Sequence, residues 1–301
     1  MKNKYFVFSD IHGEYLSLVN TLSEAGFEPD NPRHILVCIG DGFDRGPRSR
    51  SVYELFANAP RHIYVRGNHD NMLLEALKKG MDGEYVLFNI LHNGLKATLD
   101  SFCGLSGESL GNGTISVQVL DDEIATALSL NPGLLEWLQK RPLYYETKHY
   151  IFVHAGLDPN KRIWQETSED FMLWDIEHSH DPIPSTNKTV IIGHHHAFRV
   201  RNNALNADIQ PRQKLDRQIT CFGNTDEHAP VQIRNKIAID GCINYTHKPN
   251  ILVFEDEPLD ERTTGTVNQD CAGIVFDMPT FATYDTFATT RATFTTTDIH
   301  M

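Results

Sequence analysis

The chain has 301 residues, of which 40% are hydrophobic and 22% charged, and its formal net charge is −13. This is the balance of a folded globular protein with apolar mass enough for a sizeable core. Such acidity argues against a protein that binds nucleic-acid backbones, which needs a basic face, and no apolar run is long enough to cross a bilayer.

Lys4 to Ser9 reads as a first buried strand, and Glu14 to Ala25 as a helix with Leu16, Val19 and Leu22 at helical spacing. His34 to Ile39 is a second strand, and Arg48 to Asn58 a second helix that Pro47 helps to start. His62 to Val65 and His69 to Lys79 continue the rhythm. Strands alternating with helices predict an α/β fold with a largely parallel sheet, whose sites form at the carboxyl ends of the strands. Residues 82–140 read as mostly helical, broken at 104–113, and suit a cap beside the site. Tyr144 to His154 and Lys188 to Ile192 return to strand character. Residues 203–235 read as a polar inserted loop, followed by closing strands at Lys236 to Asp240 and Ile251 to Glu255. This sets one domain over 1–257. Residues 258–301 form a threonine-rich tail, read either as an added edge strand or as disordered.

The opening Met1 to Tyr5 runs straight into a strand without a secretory leader. The cysteines are five, an odd number, with no C-x-x-C pair. Reduced thiols and a cytoplasmic location are the expectation.

Chemistry concentrates in five blocks, each following a strand-like run: Asp10-Ile-His12, Gly40-Asp41-Gly-Phe-Asp44-Arg45-Gly46, Arg66-Gly67-Asn68-His69-Asp70, His154-Ala-Gly156 and Gly193-His194-His-His196. Carboxylate, amide and imidazole groups are the donors that hard and borderline divalent metals prefer. In extended backbone, Asp10 and His12 project to the same side and can reach one ion. Asp41, beside a glycine, can bridge two. Asn68, His154 and His194 offer a second set. His69 and Asp44 look like a dyad in which a carboxylate orients an imidazole that protonates a leaving oxygen. Arg45 and Arg66 can fork onto phosphate oxygens. Taken singly, each block has a plainer reading: an N-cap aspartate, a turn asparagine, a core histidine or a surface ion pair. Five in one consistent order do not.

With Ser9-Asp-Ile-His-Gly13 and Asn93-Gly94-Leu-Lys-Ala-Thr98-Leu99, these blocks resemble the phosphoprotein phosphatase (PPP) family within the calcineurin-like metallophosphatases, over about residues 4–256. The resemblance implies a four-layer α/β/β/α fold around a central β-sandwich. It implies two divalent metal ions, manganese first, with iron or zinc as alternatives. Asp10, His12 and Asp41 would hold the first ion, and Asp41, Asn68, His154 and His194 the second. His69 would be the general acid with Asp44 behind it, Arg45 and Arg66 the phosphate clamp, and a metal-bridging hydroxide the nucleophile. Gly193-His-His-His196 departs from the family's Gly-His-Thr-Pro, so His196 is either an extra ligand of the first ion or a solvent-facing side chain. Trp174-Asp175-Ile176 replaces Trp-x-Arg, and Arg199 or Arg201 is the candidate replacement for the missing arginine. The expected substrate is a phosphorylated protein, at serine or threonine. The alternatives are diadenosine tetraphosphate or another small phosphate ester, and, outside enzymes, a metal-holding scaffold. Neither nucleic acid nor membrane is an expected partner.

Overall fold

The computed structural model describes residues 2–83, 85–105, 116–212, 215 and 218–259. The threonine-rich tail lies outside them from residue 260 on, as does most of the expected break at 104–113.

The first sheet is built from β1 (Asn3–Phe8), β2 (His34–Cys38), β3 (His62–Tyr64), β7 (Thr220–Phe222) and β10 (Ile251–Asp256), in the order β3-β2-β1-β10-β7. The second runs β4-β5-β6-β9-β8, from β4 (Tyr144–Glu146), β5 (Tyr150–Val153), β6 (Thr189–Ile192), β8 (Val231–Ile233) and β9 (Lys236–Ala238). Strands β1, β2 and β3 are mutually parallel, and so are β5, β6 and β9. The antiparallel strands β10, β7, β4 and β8 complete the sheets.

Alternation along the strands builds the layers. Phe6 and Phe8 point to one side of β1, into an apolar cluster with Leu18, Val52, Leu73, Leu99 and Ile124. Tyr5 and Val7 point to the other, against Phe152, Ile191 and Ile237 of the second sheet. On the far face of that sheet, Ile151, Val190 and Ile192 pack on Met172, Ala197 and Val200. The result is helices, sheet, sheet, helices, the four-layer α/β/β/α sandwich expected. Each fully buried side chain of this kind contributes roughly 1.5–3 kcal/mol.

The first helical layer holds α1 (Tyr15–Glu24), α2 (Ser49–Asn58), α3 (Asn68–Lys79), α4 (Val86–Phe88), α5 (Leu95–Phe102), α6 (Val117–Leu130) and α7 (Leu134–Gln139). The second holds α8 (Glu169–Trp174) and α9 (Ala197–Asn206), while α10 (Ile243–Thr246) is a single turn. Helix α3 carries Asp70 in its first turn and Lys78 and Lys79 in its last, charges that match the helix dipole. Leu95, Leu99, Phe102, Leu120 and Ile124 share the cluster of Phe6 and Phe8, so these helices belong to the outer layer of the sandwich.

The strand character of Tyr144 to His154 resolves into two strands, β4 and β5, an antiparallel hairpin turning at residues 147–149. One chain-order expectation needs correction: residues 203–235 are not simply a loop. They include the end of α9 and two edge strands, β7 on the first sheet and β8 on the second. Three-residue strands are too short for alternation to register, and β7 is largely exposed.

Candidate metal centre

All six parallel strands release their chains at one end of the sandwich. Asp10 follows β1, Asp41 follows β2, and Asn68 and His69 open α3 just after β3. From the second sheet, His154 follows β5, while His194 and His196 follow β6. Asp10, His12, Asp41, Asn68, His69, His194 and His196 line one cavity of about 230 Å³. His154, with no exposed surface, stands immediately behind, its Nε2 3.3 Å from Asp41 Oδ1 and 2.8 Å from Asn68 Oδ1.

The backbone does not deliver these groups in extended form. Asp10, His12, Asp41, Asp44, Arg45 and His194 all have left-handed conformations, with φ between 46° and 70°. For such residues this is strained, and strain of this kind gathers at functional sites. A backbone zipper holds it: the N–H groups of Asp10, His12 and Gly13 donate to the carbonyls of Gly40, Asp41 and Gly42 at 2.9–3.0 Å, continuing the β1–β2 ladder past the strand ends. Packing is tight enough that a Cβ at Gly67 would collide with Asp41 Oδ1, and one at Gly193 with Asp10 Oδ2.

Two sets of three potential ligand atoms lie within 4.8 Å of one another: His12, Asp41 and His69, and Asp41, His154 and His194. Asp41 is common to both. In the first set His69 stands where Asp10 was expected. Asp10 lines the same cavity, and its Oδ2 accepts the N–H of His194 at 3.0 Å. His196 lies in neither set. Its Nε2 is 3.6 Å from Asp240 Oδ2, and its Nδ1 is buried without a hydrogen-bond partner. His194 is left-handed and His196 caps α9, so the two rings leave the strand end from different backbone conformations.

The donor chemistry fits divalent ions. His12 Nδ1 bonds the Phe43 carbonyl at 2.8 Å and His154 Nδ1 bonds the Ile39 carbonyl at 2.9 Å. A ring whose Nδ1–H is held by a carbonyl aims its Nε2 inward, the arrangement typical of metal-binding imidazoles. Burial, with His69 and Arg45, keeps His12 well below its ordinary value, and burial with His154 pushes His194 down to about 3. Both are therefore neutral, as ligands must be. Burial, with Arg199, lowers His196 to about 4. Burial raises Asp10 to about 6. It presses Asp41 upward too, yet His154, His69 and His12 outweigh it and hold that carboxyl well below the usual range. Burial opposes a proton on His154, but Asp41 and Asp10 override it and lift the ring to about 10. The carboxylates thus draw positive charge to this point.

His69 and Asp44 form the expected dyad, with His69 Nδ1 bonding Asp44 Oδ2 at 2.7 Å. Burial lowers the His69 pKa, but Asp41 and Asp44 outweigh it and leave it raised. Arg45 points into the cavity, Nη1 2.7 Å from His12 Nε2 and Nη2 2.9 Å from His69 Nε2. Arg66 does not line the cavity. It pairs with Glu169 on α8 at 2.9 Å, and its backbone N–H donates to the Pro142 carbonyl. Neither Arg199 nor Arg201 lines the cavity. The first lies over the Phe198 ring, and the second donates to the carbonyls of Glu227 and Ala229.

Three residues were given no role by the sequence reading, although Asp70 and Thr98 lie within its quoted blocks. Asp70 accepts the N–H groups of Asp41, Gly42 and Gly67 and the hydroxyl of Tyr64. Asp240 is buried in the cavity wall. Ile239-Asp240-Gly241 after β9 repeats the strand-end Asp-Gly pattern of Asp41, which was the available signal. Thr98 bonds Asp44 from α5, and nothing in its spacing announces that.

A four-layer sandwich with acidic and imidazole groups gathered at the strand ends defines a metal-dependent class of fold and site. Residues 4–219 match the model of the calcineurin-like phosphoesterase family, and the chain belongs to that family. Serine/threonine-protein phosphatase 2 of Escherichia coli (strain K12) is 43% identical over 75 residues, covering 25% of this chain and 33% of that protein. The symmetrical bis(5'-nucleosyl)-tetraphosphatase of Dechloromonas aromatica (strain RCB) is 28% identical over 155 residues, covering 51% of this chain and 44% of that one. The matched stretches span less than half of these relatives. A solved metallophosphoesterase structure from Sphaerobacter thermophilus aligns with 86% of this chain and 89% of its own, at 15% identity and a TM-score of 0.44. Among the described residues, no helix is long and apolar enough to cross a membrane.

Proposed function

We propose that this chain is a metal-dependent phosphomonoesterase acting on phosphoproteins at serine or threonine, with residues 1–257 as its catalytic domain. One observation carries the reading: Asp41 belongs to both three-residue ligand sets, as a carboxylate shared by two ions must. His12, Asp10 and His196 serve the first ion in this reading, and Asn68, His154 and His194 the second. Two divalent ions held by these residues, manganese being the favoured metal, would supply Lewis-acid stabilisation and a means of activating water at neutral pH.

The chain's own groups do the rest. Arg45 is the one arginine or lysine among the described residues of the cavity wall. Its two terminal nitrogens present a fork to phosphate oxygens. In the structure that fork rests on the Nε2 atoms of His12 and His69, which must accept from it. Turning Arg45 onto a phosphate frees His69 Nε2 to carry the proton for the leaving oxygen, while Asp44 holds the other ring nitrogen. One cationic side chain matches one phosphoryl group. That favours a monoester over diadenosine tetraphosphate, whose extra phosphates would need further cations. The Dechloromonas aromatica similarity keeps the dinucleotide as the second reading.

The test compares a phosphoserine peptide, 4-nitrophenyl phosphate and diadenosine tetraphosphate with manganese-loaded wild type and Asp41→Asn. Hydrolysis of the two monoesters, with metal lost from both positions in the variant, is the expected result. A wild type inert on both, or a variant that keeps two ions and normal turnover, defeats the reading.

A further inference from the structure

We infer that Thr98 is a positioning residue for proton transfer, fixing Asp44 so that Asp44 can fix His69; this rests on the phosphomonoesterase reading above. Thr98 lies on α5, in the first helical layer, 54 residues from Asp44. Neither residue has exposed surface. The Asp44 N–H donates to Thr98 Oγ1 at 2.7 Å, and the Thr98 hydroxyl donates to Asp44 Oδ1 at 2.8 Å. Ser49 Oγ lies 3.0 Å from the same hydroxyl. A hydroxyl has one proton and two lone pairs. With its proton on Asp44 Oδ1, Thr98 must accept from both the Asp44 N–H and the Ser49 hydroxyl, and its capacity is then full.

The consequence passes along one line. Thr98 occupies Asp44 Oδ1 and leaves Oδ2 for the Nδ1–H of His69. A carboxylate pinned at one oxygen cannot rotate away from the ring. The ring is then locked in the tautomer that aims Nε2 at the cavity. The same segment also steadies the arginine. The Arg45 N–H donates to the Gly94 carbonyl at 3.1 Å, and a Cβ at Gly94 would sit on the Arg45 backbone. Asp44 and Arg45 are consecutive left-handed residues, at φ 70° and 68°. Helix α5 thus braces the turn that carries both.

The discriminating variants are Thr98→Val, which keeps the shape and removes the hydroxyl, and Thr98→Ser, which keeps the hydroxyl. In the manganese-loaded chain, Thr98→Val should lower kcat on an alkyl phosphate monoester about 10- to 100-fold with KM within about twofold. The loss on 4-nitrophenyl phosphate should be no more than about threefold, because its leaving group needs little protonation. Thr98→Ser should restore most of the alkyl rate, and bound metal should be unchanged in both. In the metal-free protein, an exchange-protected downfield proton resonance from His69 Nδ1–H should be present in wild type and Thr98→Ser and absent in Thr98→Val. Equal losses on the two substrates, or an unaltered alkyl rate, overturn the inference. Should Thr98→Val not fold, Ser49→Ala removes the buttressing hydroxyl and leaves Thr98 and Asp44 in place. It should show the same differential at about threefold, and no differential overturns the inference. A wild type inert on both the phosphoserine peptide and 4-nitrophenyl phosphate defeats the phosphatase reading and this inference together. An active wild type with undifferentiated variants overturns this inference alone.

Discussion

Asp70 Oδ2 accepts the backbone N–H of Asp41 at 3.0 Å, so one buried carboxylate props the residue that both ligand sets share. The two are driven apart. Burial, with Asp41, raises Asp70 to about 6, while His154, His69 and His12 overcome burial and hold Asp41 far lower. Asp70 also takes the N–H groups of Gly67 and Gly42 and the hydroxyl of Tyr64.

Asp70→Asn therefore strands donors. An amide nitrogen cannot accept, and two of the four bonds face whichever oxygen it replaces. Removing one partner of a buried polar group costs about 1–3 kcal/mol, more where charge is involved. Urea unfolding of the variant should show a loss of about 2–4 kcal/mol, with Asp41-dependent metal binding weakened. A variant as stable as wild type would mean that Asp70 is not the prop.

His69→Asn removes the proposed acid. For alkyl phosphates kcat should fall by about 10²–10⁴-fold, and for 4-nitrophenyl phosphate by much less. Steady-state kinetics on the pair decides it, and identical losses would strip His69 of the role.

His196→Ala tests whether the orphaned Nδ1 belongs to the first ion. Metal titration should show one weakened site and one unchanged, with some blurring from outer partners such as Asp240. Unchanged affinity at both sites would leave His196 outside the metal shell.

Lys236 gives a pH prediction away from the cavity. It is 1% exposed, and its Nζ donates to the His178 carbonyl at 2.7 Å. Burial lowers it from 10.5 to about 8, against Asp175 and Asp181. A lowered lysine means that the unfolded chain binds more protons between those values, so stability rises with pH across that window. The burden of the buried charge is full below about pH 8 and fades toward pH 10.5, a span worth about 3 kcal/mol. Denaturation curves of wild type and Lys236→Met should converge or cross accordingly. Parallel stability profiles would show that folding leaves the Lys236 pKa where it stands in the unfolded chain.

The fold was legible because β1, β2, β5 and β6 are apolar runs bounded by polar turns, and their order implied parallel pairing. The sequence could not disclose β7 or β8, whose identity depends on partners far along the chain. The candidate ligand residues were legible as types and in sequence order. Their convergence was misread, since Asp10, His12 and His194 reach the cavity through left-handed turns rather than extended backbone. Arg66 looked equal to Arg45 on paper, yet Glu169, 103 residues away, engages it. Thr98 and Asp240 were hidden for the same reason: each acquires meaning only from a side chain brought close by folding.

The candidate ligand groups come in halves. Asp10, His12, Asp41 and Asn68 hang from the first sheet, and His154, His194 and His196 from the second. An ion bound between them is a rivet through two plates. Loading is then linked to assembly: metal that binds only the docked sheets adds its binding free energy to their docking, rising with the logarithm of free ion concentration. Scarcity of metal would thus loosen the sandwich as well as idle the site, making the chain's persistence a gauge of the ion supply around it.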